Sequence, residues 1–83
     1  MKLIIWSIDN CVSCARAEML CKTKKIEYEV FKVGDKPGCA CTLSEFKAIY
    51  PDQKTFPLIT YKNESIGGYE ALVSYLTSRR GTV

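Results

Sequence analysis

The length, composition and charge of this chain limit what it can be. With 83 residues, 47% of them hydrophobic, we expect a single domain over residues 1–83 with one modest core. The net charge of +3 comes from 12 basic and 9 acidic residues scattered along the chain. This pattern lacks the basic stripe with interleaved aromatic residues that is typical of nucleic-acid binding, so we expect no nucleic-acid partner.

The apolar segments are too short for a membrane protein. None approaches the roughly 20 residues that a membrane span needs, and Met1–Trp6 is too short for a signal peptide. We therefore expect a cytoplasmic monomer with no membrane partner. In a reducing compartment, the five cysteines indicate catalytic, metal-binding or buried thiols rather than a disulfide framework.

The first half of the chain predicts a strand, a helix and a second strand. Leu3–Trp6 is an apolar run typical of a buried strand. A helix is predicted from Cys11 to about Lys24, with Asp9 or Asn10 as its cap. The alternation over Ile26–Val33 predicts the second strand.

The second half predicts a helix, a hairpin and a terminal helix. Thr42 and Glu45 form a capping box that opens a helix ending before Pro51. The remaining elements are a strand at Pro57–Tyr61, a turn at Asn63–Glu64, a strand at Ser65–Ile66 and a helix at Tyr69–Arg79. The order β-α-β-α-β-β-α predicts an α/β fold, in which a mixed four-stranded sheet carries helices on both faces.

Two cysteines stand where the first helix begins, in the segment Cys11-Val12-Ser13-Cys14. The free N–H groups and the positive dipole end of a helix N-terminus favour a thiolate there. We expect Cys11 to be the exposed attacking thiol and Cys14 the buried resolving thiol. Two alternatives remain: incidental core cysteines, or half of a zinc site completed by Cys39 and Cys41. Cys21 lies on the same helical stripe as Cys14 and is interpreted as core packing.

Three separate motifs occur together in this chain. They are the Cys11–Cys14 segment, Thr55-Phe56-Pro57 before the third strand, and Ile66-Gly67-Gly68-Tyr69-Glu70 after the fourth. In this order and spacing, the set resembles a dithiol glutaredoxin of the thioredoxin-like fold. The resemblance spans nearly the whole chain and is to the short bacterial and bacteriophage members.

The resemblance implies a glutathione site. Pro57 matches the family's cis-proline, which would leave the backbone N–H and C=O of Phe56 free to pair with glutathione as with an added strand. The N–H groups of Tyr69 and Glu70 would face the γ-glutamyl carboxylate after the Gly67-Gly68 turn. The implied glutathione-binding residues are Lys54, Thr55, Phe56, Pro57, Gly68, Tyr69 and Glu70.

The chain departs from the family pattern beside the cysteines. Ile8 stands where a basic residue commonly supports the thiolate, and Val12-Ser13 replaces the usual Pro-Tyr. Ser13 is a candidate donor to the Cys11 sulfur, so Ser13 and Ile8 are candidate modulators. Asp9 adds a negative charge that opposes the thiolate.

The resemblance implies an enzyme, a glutathione-disulfide oxidoreductase, with glutathione as co-substrate and no metal. It would reduce glutathione mixed disulfides and protein disulfides, with ribonucleotide reductase among its partners. One alternative is a redoxin fed by thioredoxin reductase, although such proteins have a Trp-Ser-Gly-Phe segment where this chain has Ile66-Gly67-Gly68-Tyr69. Another alternative is a carrier of an iron–sulfur cluster ligated by Cys11 and glutathione.

Overall fold

The structure is a computed structural model that describes residues 2–62 and 64–81, the side chains of 78–81 excepted. The order β-α-β-α-β-β-α is confirmed. The elements are β1 (Lys2–Ser7), α1 (Val12–Thr23), β2 (Glu27–Lys32), α2 (Leu43–Ile49), β3 (Leu58–Tyr61), β4 (Glu64–Gly67) and α3 (Tyr69–Gly81). None of the described helices is both long enough and apolar enough to cross a membrane.

The four strands form one mixed sheet in the order β2-β1-β3-β4. β1 and β2 run parallel, with Leu3 opposite Tyr28, while β3 is antiparallel to both β1 and β4. The expected turn at Asn63–Glu64 is only partly visible, since Asn63 lies outside the described residues and Glu64 already begins β4. The parallel pair requires a crossover, which α1 supplies.

The sheet separates two apolar clusters. One contains Leu3 and Ile5 of β1 with Ala17 and Cys21 of α1 and Leu72 of α3, among others. Because side chains alternate along a strand, the opposite face carries a different set. That set is the Phe46 cluster, made of Val33, Phe46 and Leu58, with Trp6, Ile8, Cys41, Tyr50 and Phe56 packed against it. The expected helices on both faces are therefore confirmed.

The helix starts show which local predictions were right. The Thr42–Glu45 capping box is present: the Glu45 N–H donates to Thr42 Oγ1 at 3.1 Å, and the Thr42 N–H donates to Glu45 Oε1 at 2.8 Å. The predicted cap of α1 at Asp9 or Asn10 is wrong, because Cys11 itself is the N-cap. Asn10 instead takes a left-handed φ of 58°, a conformation that asparagine tolerates well.

Candidate active site

Cys11 occupies the N-cap of α1 and uses its sulfur as the capping group. Its backbone is extended, with φ −108° and ψ 105°, and the Cys14 N–H donates to Cys11 Sγ at 3.1 Å. A carboxylate or hydroxyl oxygen usually accepts this bond, and a sulfur does so best as a thiolate. The helix start therefore directs both an N–H group and the positive end of its dipole at one sulfur atom.

Cys14 lies one turn into the helix and is almost fully enclosed. Its exposed fraction is 2%, whereas Cys11 is partly exposed, so the expected order of exposure is confirmed. The two sulfurs are joined as a disulfide, with Cα atoms 5.2 Å apart. The pair thus combines an accessible sulfur with a protected one that can reach it.

The Thr55-Phe56-Pro57 loop lies against the cysteine pair. The Phe56–Pro57 peptide bond is cis, as the resemblance implies, and Cys11 Sγ lies 3.8 Å from the Phe56 carbonyl oxygen. Gln53 Nε2 donates to the Thr55 carbonyl at 2.7 Å, and the Phe56 ring packs on Phe46 with centroids 4.9 Å apart. These contacts fix the loop from both sides.

At the start of α3, no side chain among the described residues accepts from the free backbone N–H groups. Gly68 precedes the helix, and its carbonyl accepts the Leu72 N–H at 2.9 Å, which makes Gly68 the N-cap. The N–H groups of Tyr69, Glu70 and Ala71 have no partner within the helix, and glycine has no side chain to accept from them. An anion is the natural ligand for such an arrangement.

The start of α1, the Thr55-Phe56-Pro57 loop and the start of α3 surround one open cleft of about 610 Å³. Six of the seven predicted glutathione-binding residues line the cleft, and Lys54, an exposed loop residue, does not. Two lining residues, Arg16 and Ala71, were not predicted. Arg16 follows Ser13 by three residues and so shares its helix face, which is a signal that the sequence contained. The full lining is Ser13, Arg16, Thr55, Phe56, Pro57, Gly68, Tyr69, Glu70 and Ala71.

The surroundings of Ile8 and Asp9 change the expected electrostatics. Ile8 packs against the Phe46 cluster, so this position serves the core in place of the family's basic residue. Asp9 is exposed, and its carboxylate lies 3.1 Å from Lys36 Nζ and 3.8 Å from Lys32 Nζ. The hydrogen bond and charge of Lys36 lower the pKa of Asp9. Because two cations offset it, Asp9 opposes the Cys11 thiolate less than its charge alone suggests.

We expect the pKa of the reduced Cys11 thiol to lie below that of a free cysteine, because the Cys14 N–H and the helix dipole stabilise the thiolate. Ile8→Lys should lower this pKa further. The rate of alkylation by iodoacetamide as a function of pH measures it, in a background lacking Cys39 and Cys41. Thr23→Lys is the control, since it adds the same charge about 18 Å along α1, beyond the screening length. Coincident profiles for wild type and Ile8→Lys would show that position 8 has no influence on the thiolate.

The other three cysteines have different surroundings. Cys21 is fully buried in the core, as expected. Its pKa is raised mainly by this burial and to a smaller extent by the charge of Glu18. Cys41 packs against the Phe46 cluster. Its pKa is raised mainly by burial, with smaller contributions from Glu45 and Cys39. Cys39 is partly exposed in the loop before α2. Within the described residues, no group of three or more His, Cys, Asp or Glu side chains is placed to hold a metal ion.

Comparison with known proteins gives a sequence relative and several structures of the same fold. No family model matches the chain. Glutaredoxin 1 of Rickettsia bellii is 31% identical over 70 residues, which are 84% of this chain and 71% of that protein. Glutaredoxin 1 of Francisella tularensis, solved with cacodylate, superposes with a TM-score of 0.74 at 20% identity, over 96% of each chain.

Two further structures share the architecture. The buckwheat glutaredoxin–glutathione complex has a TM-score of 0.73 at 17% identity, covering 92% of this chain and 68% of its own. The glutaredoxin-like NrdH-redoxin of Escherichia coli has a TM-score of 0.62 at 15% identity, over 92% and 95% of the two chains. The fold is therefore the thioredoxin-like glutaredoxin fold. With the Cys11–Cys14 pair at the start of α1 and a relative of this identity and coverage, the chain belongs to the glutaredoxin family of thiol–disulfide oxidoreductases.

Proposed function

We propose that this protein is a glutathione-dependent oxidoreductase that reduces glutathione mixed disulfides and protein disulfides. One observation carries the proposal. A single cleft connects Phe56, which lies beside the Cys11 sulfur, with the uncapped N-terminus of α3. A tripeptide thiol that ends in a carboxylate can therefore place its sulfur at Cys11 and its anionic end at the helix.

Each part of glutathione has a partner in this arrangement. The N–H groups of Tyr69 and Glu70 donate hydrogen bonds to the γ-glutamyl carboxylate, and the Glu70 side chain is available to the α-amino group of the same glutamyl residue. The backbone of Phe56 pairs with the cysteine of glutathione in the manner of an added strand. Lys54, in the loop outside the cleft, is the partner for the glycine carboxylate, and Arg16, which lines the cleft together with Tyr69, adds a cation near the γ-glutamyl end.

The reaction is a series of exchanges at sulfur. The Cys11 thiolate attacks the glutathione sulfur of a mixed disulfide, and the substrate leaves as a thiol after taking up a proton. A second glutathione thiolate then attacks the sulfur of the bound glutathione, which releases glutathione disulfide and restores the Cys11 thiolate. With a protein disulfide, Cys11 forms a mixed disulfide with the substrate, and the Cys14 thiolate displaces the reduced protein and leaves a Cys11–Cys14 disulfide. Two glutathione thiols then reduce this disulfide in turn and leave as glutathione disulfide.

The test is turnover of a glutathione mixed disulfide with two alternative reducing systems. We expect turnover with glutathione, glutathione reductase and NADPH, and none with thioredoxin reductase and NADPH. The opposite result would identify a redoxin of the NrdH type, whose fold this chain shares. A brown protein after anaerobic purification would instead indicate the cluster carrier.

We further propose that the protein works as a cytoplasmic monomer with ribonucleotide reductase among its substrates. Family membership supports this proposal, and the reducing compartment suits a cysteine pair that cycles between dithiol and disulfide. The test is the turnover of an oxidised ribonucleotide reductase supplied with this protein and glutathione. Omission of this protein is the control, and equal turnover without it would contradict the assignment.

A further inference from the structure

A second groove runs along α1 on the side that faces α3. It measures about 350 Å³, and its lining residues are Arg16, Met19, Leu20, Thr23 and Tyr69. Met19 is 61% exposed, whereas its neighbour Leu20 on the same helix packs against the core. The groove therefore offers a place where an apolar side chain of another molecule can be buried.

This groove continues the cleft that contains the glutathione site. Arg16 and Tyr69 line both, so no separate element divides them. None of the lining residues is acidic, and among the described residues no carboxylate forms an ion pair with Arg16. Lys22 adds a second exposed cation in the last turn of α1. The charge favours an occupant with acidic rather than basic side chains.

The distance from Cys11 sets where the apolar side chain must be. Met19 follows Cys11 by eight residues, or about 12 Å along the helix. An extended chain advances about 3.3 Å per residue, so roughly four residues cover this distance. Glutathione has only three residues, which span too little to reach Met19 from a sulfur held at Cys11.

We propose that this groove binds an extended segment of the disulfide-bonded protein substrate and holds an apolar side chain that lies about four residues from the cysteine joined to Cys11. The inference rests on the proposed disulfide exchange at Cys11. The occupied state is the mixed disulfide, in which the Cys11 thiolate has formed a bond to one substrate sulfur and the other substrate sulfur has left as a thiol. The groove thus selects among protein substrates and leaves glutathione unaffected.

The experiment measures an exchange equilibrium in a Cys14→Ala background that also lacks Cys39 and Cys41. The disulfide between Cys11 and glutathione reacts with a peptide thiol, giving the disulfide between Cys11 and the peptide plus free glutathione. The peptides have one cysteine, a glutamate two residues from it, and either leucine or serine four residues from it. Each peptide is made in two forms, one with the glutamate and the leucine or serine before the cysteine and one with them after it. Three proteins are compared: the background protein, its Met19→Ser variant and its Ile49→Ser variant. Ile49→Ser is the control, because it removes a similarly exposed apolar side chain from α2 on the other face of the sheet.

We expect the leucine peptide to be favoured about fivefold over the serine peptide in one of the two orientations, as partial burial of a leucine implies. The preference should disappear in Met19→Ser and persist in Ile49→Ser. No preference in either orientation, or an equal preference in Met19→Ser, would overturn the inference. The exchange of Cys11 with glutathione disulfide is followed in parallel and should be the same in all three proteins. A leucine preference with no glutathione exchange would support the groove while contradicting the glutathione proposal.

Discussion

Cys11→Ser should abolish the reduction of both glutathione mixed disulfides and protein disulfides, leaving only the uncatalysed rate. Cys11 is the accessible member of the pair and the one whose sulfur accepts the Cys14 N–H at the start of α1. A serine at this N-cap still accepts that hydrogen bond, so the helix should form normally. The loss of activity would then report on the missing thiolate and not on a damaged fold.

The matched variant at the second cysteine should separate the two substrates. Cys14→Ala should retain the reduction of glutathione mixed disulfides and lose the reduction of protein disulfides, because only the latter needs a resolving thiol. Alanine is preferable to serine because Cys14 is 2% exposed, and a hydroxyl there would cost about 1–3 kcal/mol if left without a partner. Steady-state rates on one substrate of each kind provide the measurement. If Cys14→Ala is inactive on both while Cys11→Ser is active, the roles of the two thiols are reversed.

Gly68→Ser should raise the KM for glutathione about fivefold without weakening the fold. Serine is a good N-cap, and its hydroxyl would accept one of the N–H groups at the start of α3 that the γ-glutamyl carboxylate needs. An added Cβ has room, because the nearest atom, the Pro57 carbonyl oxygen, would lie 3.6 Å away. Glutathione kinetics and thermal unfolding of the same protein test both parts. An unchanged KM would remove the case for a carboxylate at this helix end.

The neighbouring glycine should behave differently. Gly67 has a φ of 126°, and an added Cβ would lie 2.7 Å from the Cβ of Ala71. Gly67→Ala should therefore lower the free energy of unfolding by about 1–3 kcal/mol as well as impair glutathione binding. The contrast distinguishes a glycine required by the backbone from one whose missing side chain leaves the N–H groups free. Equal stability of the two variants would contradict this assignment.

The sequence predicted the order of the elements because each has a strong local signal. Thr42 and Glu45 mark a helix start in a reciprocal pair, and the structure has both hydrogen bonds. The burial of Cys14 followed from its position on the stripe shared with Ala17 and Cys21. In each case the signal is periodicity or capping, which depends on neighbours along the chain.

What the sequence missed depends on contacts between distant segments. Arg16 lines the cleft because α1 and the start of α3 lie side by side, whereas its spacing from Ser13 indicates only that the two residues share a helix face. The cap of α1 was misplaced because a cysteine is an uncommon N-cap residue, whereas Asp9 and Asn10 are common ones. The negative charge of Asp9 is offset by Lys36, which lies 27 positions away in the sequence. The pair Gly67-Gly68 does not indicate from sequence that Gly67 is needed for its positive φ, whereas Gly68 is needed because it has no side chain.

The position of a glutathione adduct shows which cysteine is the attacking thiol. The Cys14→Ala protein, fully reduced, is treated with glutathione disulfide for a short time, and its peptides are analysed by mass spectrometry. We predict that glutathione is found on Cys11 first, since Cys21 is buried and the pKa of Cys41 is raised. Prior adduct formation on Cys39 or Cys41, with Cys11 unmodified, would contradict the assignment of the N-cap cysteine as the attacking thiol.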